Sequence, residues 1–208
     1  MCGRYVVKNP VTKTSSLVKS AIQVEDNENY NAHPYQKLPV IKKYKNGNTL
    51  ENLQWGLVPG WAKDKDFKAL INARLETIDE KVSFKKLIKN NRCVAVADGF
   101  YEWKREDKNK VPHYFLREDK KIMYLAAIYD NNEFCLITEQ ASNNVNAVHH
   151  RQPVIINESD INRYLNLELN GSSFLKECKK PKLEFYQISK DVNKPTNNSI
   201  SLIQKSLN

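Results

Sequence analysis

The residues at the start of the chain could carry out covalent chemistry on an aldehyde. The sequence opens Met1-Cys2-Gly3-Arg4, and methionine aminopeptidases remove Met1 when the second residue is as small as cysteine. Cys2 would then carry an α-amine and a thiol two carbons apart. An α-amine has a pKa of about 7.7–8.0, against about 10.4 for lysine, so far more of it is neutral near pH 7. This amine can form an imine with an aldehyde, and the thiol can close a five-membered ring on it.

Two enzyme classes fit this opening. The open form of an abasic deoxyribose presents an aldehyde, so a Cys2 aminothiol would react with abasic DNA. Glutamine amidotransferases of the N-terminal-nucleophile class also begin Met-Cys-Gly, and there Cys2 would attack a glutamine amide with its own amine as the base. The opening alone leaves both classes possible, and also a cysteine at position 2 by chance.

An aromatic block follows at residues 55–61, with the sequence Trp-Gly-Leu-Val-Pro-Gly-Trp. Trp55 and Trp61 flank a Gly/Pro turn and could stack on unpaired bases, while Lys63, Lys65 and Lys68 could contact phosphates. The alternative interpretation is a pair of core tryptophans covered by a solvated lysine face.

A single carboxylate lies among aromatic residues at 99–103, Gly-Phe-Tyr-Glu-Trp. Such surroundings tend to raise the pKa of a carboxyl group, which suits Glu102 to moving protons. Alternation along a strand predicts Phe100 and Glu102 on one face, with Tyr101 and Trp103 on the other. An exposed glutamate at a strand end is the competing interpretation.

Two more segments offer polar groups for a site. Asn72 could hydrogen-bond the Cys2 amine or the substrate, and Arg74 could bind a phosphate through two parallel hydrogen bonds. His149 could exchange protons with an imine, and Arg151 could hold a phosphate. Each could equally be structural. The spacing of His149, His150 and the cysteines matches no zinc motif, so we expect neither a metal nor a cofactor.

The charge balance favours a polyanionic partner. The 208 residues contain 33 Lys and Arg against 24 Asp and Glu, a net charge of +9, which attracts nucleic acids through counterion release. The sequence shows no membrane-spanning apolar run and no signal-peptide pattern, so we expect a cytoplasmic protein. The four cysteines show no paired spacing and are expected to be free thiols.

The apolar pattern predicts an α+β fold that is sheet-rich, with an irregular barrel-like β core, a few peripheral helices and a single domain over residues 1–208. Asn46-Gly47 predicts a hairpin between the second and third of the expected strands. A helix over 11–22, a helix over 79–90 with Val82, Phe84, Leu87 and Ile88 inward, and a short helix ending at Leu165, capped by Asn157 or Ser159, are also predicted. The expected strands are residues 3–7, 38–45, 49–57, 92–97, 112–117, 122–129, 133–138 and 183–188.

Taken in order, these blocks resemble the SOS response-associated peptidase (SRAP) family. The matching residues are 2–4, 55–61, 72–77, 99–103 and 149–153. Glutamine amidotransferases would share only the opening triplet, so the resemblance favours abasic-site chemistry. Two departures stand out. Gln152 replaces the usual methionine, which predicts looser packing, and His33 and Tyr35 are unusual in a loosely matching stretch at 30–36.

The resemblance implies a role for each candidate residue. Cys2 would form a thiazolidine link to the abasic sugar, Asn72 would position Cys2, Glu102 would act as general acid and base, and His149 would assist the Schiff-base and ring-opening steps. Phosphate contacts would come from Arg4, Arg74 and Arg151, and the groove would be shaped by Trp55, Trp61 and Trp103.

The same resemblance implies a partner and side activities. The partner would be single-stranded DNA containing abasic sites, bound by a monomer that associates with the nucleoid. Self-processing at Met1 would be a peptidase activity, and strand-cleaving lyase activity is chemically plausible. A non-catalytic single-stranded DNA-binding protein is the alternative from another class.

Overall fold

Strands form most of the regular structure. The computed structural model describes residues 2–62, 66–107 and 109–206, without the side chain of Asn143. The strands are β1 Tyr5–Lys8, β2 Ser20–Ile22, β3 Glu28–Ala32, β4 Lys37–Tyr44, β5 Gly47–Trp55, β6 Asn72–Arg74, β7 Arg92–Ala97, β8 Gly99–Glu106, β9 Asn109–Arg117, β10 Met123–Asp130, β11 Glu133–Gln140, β12 Arg151–Pro153, β13 Ile155–Ile156 and β14 Leu183–Gln187.

The helices are short and lie between these strands. They are α1 Pro10–Thr14, α2 Leu87–Asn90, α3 Asn143–Asn146, α4 Ile161–Leu165 and α5 Gly171–Glu177. Single 3₁₀ turns cover Gly60–Ala62, Leu75–Thr77, Glu158–Asp160, Lys190–Asn193 and Ile200–Ile203. In the described part of the chain, none of the helices has the length and apolar character needed to cross a membrane.

Two sheets build the fold. One runs β14-β9-β8-β1-β3, and the other runs β12-β11-β10-β7-β4-β5-β2, with β13 on β10 and β6 on β11. A short parallel pairing of β11 with β5, Glu133 to Gln54 and Phe134 to Trp55, closes the second sheet into a ring. The predicted sheet-rich α+β class is confirmed, with the core taking the form of this irregular ring rather than a regular barrel.

Large apolar side chains fill the space enclosed by the ring and the neighbouring sheet. Trp55 is fully buried, stacks on Phe134 with ring centroids 6.3 Å apart, and contacts Tyr5 at 5.1 Å. Burying one such side chain contributes on the order of 1.5–3 kcal/mol. The contact of Tyr5 with Trp55 therefore anchors the start of the chain to the ring.

The hairpin predicted at Asn46-Gly47 is confirmed. Strands β4 and β5 pair in antiparallel fashion, in a register that begins with Lys37 opposite Gln54 and ends with Tyr44 opposite Gly47. Gly47 has φ +126°, and a Cβ at this position would lie 2.7 Å from Cδ of Lys19. The flexible Lys19 side chain could move aside, so the positive φ, which residues with a Cβ rarely adopt, is the reason for glycine in this turn.

The helix predicted over 11–22 is wrong beyond its first turn. After α1 the chain turns, and Ser20–Ile22 forms β2, which pairs in parallel with β5. The backbone N–H of Lys19 donates to the Asn48 carbonyl at 2.8 Å. Pairing with an existing sheet edge therefore overrides the helical spacing of the apolar residues.

The helix predicted over 79–90 is reduced to α2. It is preceded by turns rather than by a continuous α-helix. In one of them the backbone N–H of Phe84 donates to the carbonyl of Lys81, three residues earlier. Phe84 and Ile88 are buried as predicted, but Val82 is 68% exposed. Regular α-helix is confined to Leu87–Asn90, so the helical spacing of apolar residues does not extend back to Val82.

The remaining elements follow the predictions closely. The strands expected over 92–97, 112–117, 122–129, 133–138 and 183–188 correspond to β7, β9, β10, β11 and β14. The helix ending at Leu165 is confirmed, but the predicted caps are wrong: Asn157 precedes a 3₁₀ turn without a side-chain cap bond, Ser159 lies inside that turn, and Asp160 occupies the N-cap position of α4. Cys93 and Cys135 are buried free thiols, as expected.

Candidate active site

The chain start is held between two strands. Strand β1 pairs with β8 at Tyr5–Phe100 and Val6–Gly99, which brings Cys2 beside the strand carrying Glu102. Asn72 begins β6, which is fixed by its parallel pairing with β11. From there Asn72 donates from Nδ2 to the Cys2 carbonyl oxygen at 2.9 Å. The structure thus joins residues 2 and 72, as the sequence predicts, and leaves Cys2 fully buried.

Asn72 has a second polar atom in this region. Its Oδ1 is buried and has no hydrogen-bond partner among the described atoms. A buried acceptor without a partner costs free energy comparable to a lost hydrogen bond. An N–H group brought near Cys2 would remove that cost, so the amide is equipped to accept a hydrogen bond from an amine.

Glu102 lies on the inward face of β8. Phe100 joins the main core while Tyr101 and Trp103 belong to a second cluster on the other face, so the predicted alternation is confirmed. Glu102 is only 3% exposed, which excludes the interpretation as a solvated strand-end residue. Burial raises its pKa, and therefore the protonated carboxyl persists closer to neutral pH than in a solvated glutamate.

The Cys2 thiol is an electrostatic neighbour of Glu102. Burial, and secondly the negative charge of Glu102, raise the pKa of this thiol well above its ordinary value. The thiol is therefore protonated at neutral pH. Its reaction as a nucleophile requires a nearby group that accepts the proton.

His149 follows α3 and reaches the same place. Its Nδ1 lies 3.8 Å from Oε1 of Glu102, 3.0 Å from the backbone nitrogen of Arg151 and 3.1 Å from the Arg151 carbonyl oxygen, so the ring tautomer decides whether Nδ1 accepts from the N–H or donates to the carbonyl. Burial lowers the pKa of His149, so the imidazole is neutral near pH 7. A protonatable carboxyl and a neutral imidazole thus stand side by side.

A cavity of about 440 Å³ opens onto Glu102 and His149. One wall is fixed by Arg4, whose Nη1 donates to Asn31 Oδ1 at 2.6 Å and to the Val192 carbonyl at 2.9 Å. The Trp103 indole is held by a 2.8 Å hydrogen bond from Nε1 to Asn193 Oδ1. The cavity is lined by Arg4, Glu102, Trp103, Arg105, Lys110, His149 and Asn193.

The tryptophans at 55 and 61 have different environments. Trp55 is fully buried and donates from Nε1 to the Ile71 carbonyl at 2.9 Å. Its ring has no free face on which a base could stack, so the interpretation of Trp55 as a core residue is correct. Trp55 contributes to the site only through its packing in the core. Trp61 is 53% exposed and meets Phe67 edge to face at 5.4 Å. Of the neighbouring lysines, Lys63 and Lys65 lie outside the described residues, and Lys68 is exposed.

The two further candidate arginines also differ. Arg74 is exposed at the end of β6. Arg151 is buried and donates to both Glu76 carboxylate oxygens, at 2.7 and 3.0 Å, and to the Thr138 carbonyl at 2.7 Å. Burial acts to raise the Glu76 pKa, but the hydrogen bonds and charge of Arg151 outweigh it and lower that pKa. The guanidinium of Arg151 is thus engaged within the protein and ties β12 to the segment after β6.

Replacing Arg151 should therefore cost stability, whereas replacing Arg74 should not. Arg151→Ala leaves the buried Thr138 carbonyl without this donor and is expected to lower the free energy of unfolding by about 1–3 kcal/mol. Arg74→Ala removes the same charge from an exposed position and is the matched control. Urea unfolding of both variants measures the difference; equal midpoints would contradict a structural role for Arg151.

The two departures from the family pattern are accommodated locally. Gln152 is buried, accepts from the Ser142 backbone N–H at 3.0 Å and donates to Glu139 at 3.1 Å. The looser packing expected there is therefore wrong. Tyr35 is exposed with φ +73°, and its backbone N–H donates to the Trp55 carbonyl at 2.7 Å. Tyr35 thus alters the surface of this loop, while its backbone remains hydrogen-bonded to the end of β5.

Sequence reasoning missed several residues of the cavity. Arg105 is two residues after Trp103 and shares its strand face, so extending the alternation from Trp103 could have found it. Lys110 and Asn193 come from segments without a recognisable motif, and only the fold brings them here. Within residues 2–62, 66–107 and 109–206, no three His, Cys, Asp or Glu side chains are grouped so as to hold a metal ion.

Comparisons with known proteins agree on one family. The family "SOS response associated peptidase (SRAP)" matches residues 1–195. The chain is 32% identical to the abasic site processing protein YoqW of Bacillus subtilis, covering 98% of this chain and 99% of that protein. It is 28% identical to the abasic site processing protein YedK of Escherichia coli, covering 82% of each. A crystal structure of a Bacteroides thetaiotaomicron protein has the same fold, with a TM-score of 0.86 at 24% identity over 99% of this chain and 100% of that chain.

Proposed function

The chain belongs to the SOS response associated peptidase (SRAP) family, and from this membership and the geometry around Cys2 we propose that it processes abasic sites in DNA by linking them covalently to Cys2. Relatives that match nearly the whole chain are named abasic site processing proteins. The observation that carries the covalent part is that Asn72 and Glu102 lie beside Cys2, with His149 next to Glu102.

The first half of the reaction forms an imine. Removal of Met1, by an aminopeptidase or by self-processing, converts the Cys2 amide nitrogen into an α-amine. This nitrogen adds to C1′ of the open abasic sugar, and loss of the former aldehyde oxygen as water leaves a C=N bond. Asn72 orients Cys2 through its carbonyl and accepts a hydrogen bond from the amine at Oδ1. The protonated Glu102 carboxyl supplies the proton with which water leaves.

The second half closes the ring. The Cys2 sulfur bonds to C1′, and the thiol proton moves through His149 or the Glu102 carboxylate to the imine nitrogen. The product is a thiazolidine, and the whole reaction releases one water. Ring closure consumes the C=N bond on which β-elimination at the sugar depends, so strand cleavage is only a side activity. Reversal returns the proton from the ring nitrogen to the Cys2 sulfur as the C–S bond breaks and the C=N bond re-forms, and water then hydrolyses the imine; the same carboxyl can carry the proton.

The DNA partner is proposed to be single-stranded. The net charge of +9 favours a polyanion, Trp103 and exposed Trp61 offer faces for unpaired bases, and Arg4 and Arg74 offer charges for phosphates. We further propose that the protein acts as a monomer, in the cytoplasm and on the nucleoid. The alternative of a non-catalytic single-strand binder lacks any use for the residues grouped around Cys2.

A denaturing gel tests this function. A single-stranded oligonucleotide with one uracil, treated with uracil glycosylase, should give a slower band that survives heat and detergent when it is incubated with the protein. The same oligonucleotide without glycosylase treatment is the control and should give none. Absence of the slower band with abasic DNA would contradict the covalent function and leave single-strand binding as the better account.

A further inference from the structure

We propose that Arg105 and Lys110 form a two-cation clamp for phosphodiester groups of the DNA strand beside the abasic nucleotide, an inference that rests on the proposed function. In the antiparallel pair β8–β9, Arg105 lies directly opposite Lys110. Both residues are exposed, and both line the cavity that contains Glu102 and His149. No role in the reaction itself is needed from either side chain.

Two like charges in this position are unfavourable without an anion. Directly opposed like charges on neighbouring strands destabilise the pair. In the described part of the chain, neither Arg105 nor Lys110 makes a hydrogen bond or ion pair with a carboxylate, whereas neighbouring Lys104 pairs with Glu106 at 2.9 Å. Glu106, the acidic residue next to Arg105 in β8, is thus paired with Lys104. The two cations therefore remain available to a ligand.

The clamp is close enough to the reacting groups to serve them. The pKa of His149 is lowered mainly by burial and also by the positive charge of Arg105, which places that charge within electrostatic range of the imidazole. A phosphodiester is the anion that a strand entering the cavity would bring. The guanidinium can bind two of its oxygens at once, and the ammonium can act as a point charge.

The clamp is tested with DNA that cannot react. A single strand carrying a tetrahydrofuran abasic analogue has no aldehyde, so its affinity is independent of Cys2 chemistry. Fluorescence anisotropy at several NaCl concentrations gives the slope of log affinity against log salt. Each lost phosphate contact should make this slope shallower by about 0.7 for single strands, so the Arg105→Ala/Lys110→Ala double variant should lose about 1.4 and each single variant about half of that.

The matched control removes two exposed cations elsewhere. Lys85→Ala/Lys86→Ala lowers the net charge equally, at residues that do not line the cavity, and should leave the slope unchanged. The Arg105→Gln/Lys110→Gln variant, which retains side-chain bulk, should repeat the loss without lowering the melting temperature. An unchanged slope, or an equal change in the Lys85/Lys86 control, would overturn the clamp. Failure of the gel assay with abasic DNA would instead count against the covalent function alone.

Discussion

Replacement of Cys2 by alanine is expected to abolish the heat-stable adduct with abasic DNA. Alanine is also small enough for Met1 removal, so the variant keeps an N-terminal amine and can still form the imine. Without the thiol there is no ring closure, and the imine either hydrolyses or promotes β-elimination. The gel should therefore show no slower protein-bound band and, if anything, more cleaved oligonucleotide.

Two further variants sharpen this result. Cys2→Ser keeps nearly the same volume in a fully buried position, and its hydroxyl should give at best a weaker link that hydrolyses on heating. Cys178→Ala removes the thiol that is only partly buried and should cross-link like the unaltered protein. An undiminished adduct in Cys2→Ala, or its loss in Cys178→Ala, would show that Cys2 is not the residue that traps the sugar.

Replacement of Glu102 by glutamine is expected to slow adduct formation or its reversal by roughly 10²–10⁴-fold, the usual cost of losing a general acid or base. Glutamine keeps the shape of the buried side chain and removes only the titrating proton. Burial raises the pKa of Glu102, so its acid form is present below that raised pKa and disappears as the pH rises through it. The unaltered protein should show this loss in the acid-dependent step, and Glu102→Gln should lack it.

The control for this variant lies on the same strand. Glu106 is exposed and its pKa is lowered by hydrogen bonding to Lys104, and Glu106→Gln should retain both the rate and the pH profile. Single-turnover time courses on the gel, taken from pH 5 to 9, provide the measurement. A Glu102→Gln rate equal to the unaltered one at every pH would mean that the amine and thiol of Cys2 act without the carboxyl.

Local patterns were sufficient for the strands that carry the site. The alternation at 99–103 assigned Glu102 and Trp103 to opposite faces of β8, and the Asn46-Gly47 turn fixed the hairpin that forms part of the ring. These features depend on neighbours in sequence. The contact between Asn72 and Cys2 spans 70 residues, and it was predicted from the order of motifs rather than from any local rule.

Features that depend on tertiary pairing could not be read from the sequence. Strand β2 lies where a helix was predicted because β5 offers it an edge. The Arg151 guanidinium turns inward because Glu76 and Thr138 meet it there, although its sequence context suggests a phosphate contact. Lys110 and Asn193 reach the cavity only after β8, β9 and the Lys190–Asn193 turn are assembled.

Intact-mass spectrometry of the protein with its native start tests the central claim most directly. The aminothiol exists only when Cys2 is the first residue, because an acylated nitrogen is an amide and cannot form an imine. The purified protein should have lost one methionine and, after exposure to abasic single-stranded DNA, should gain the mass of the oligonucleotide minus one water. A protein with a bulky residue inserted between Met1 and Cys2 should keep its extension and gain nothing. An extended protein that retains its added residues and still cross-links equally well would contradict the N-terminal mechanism.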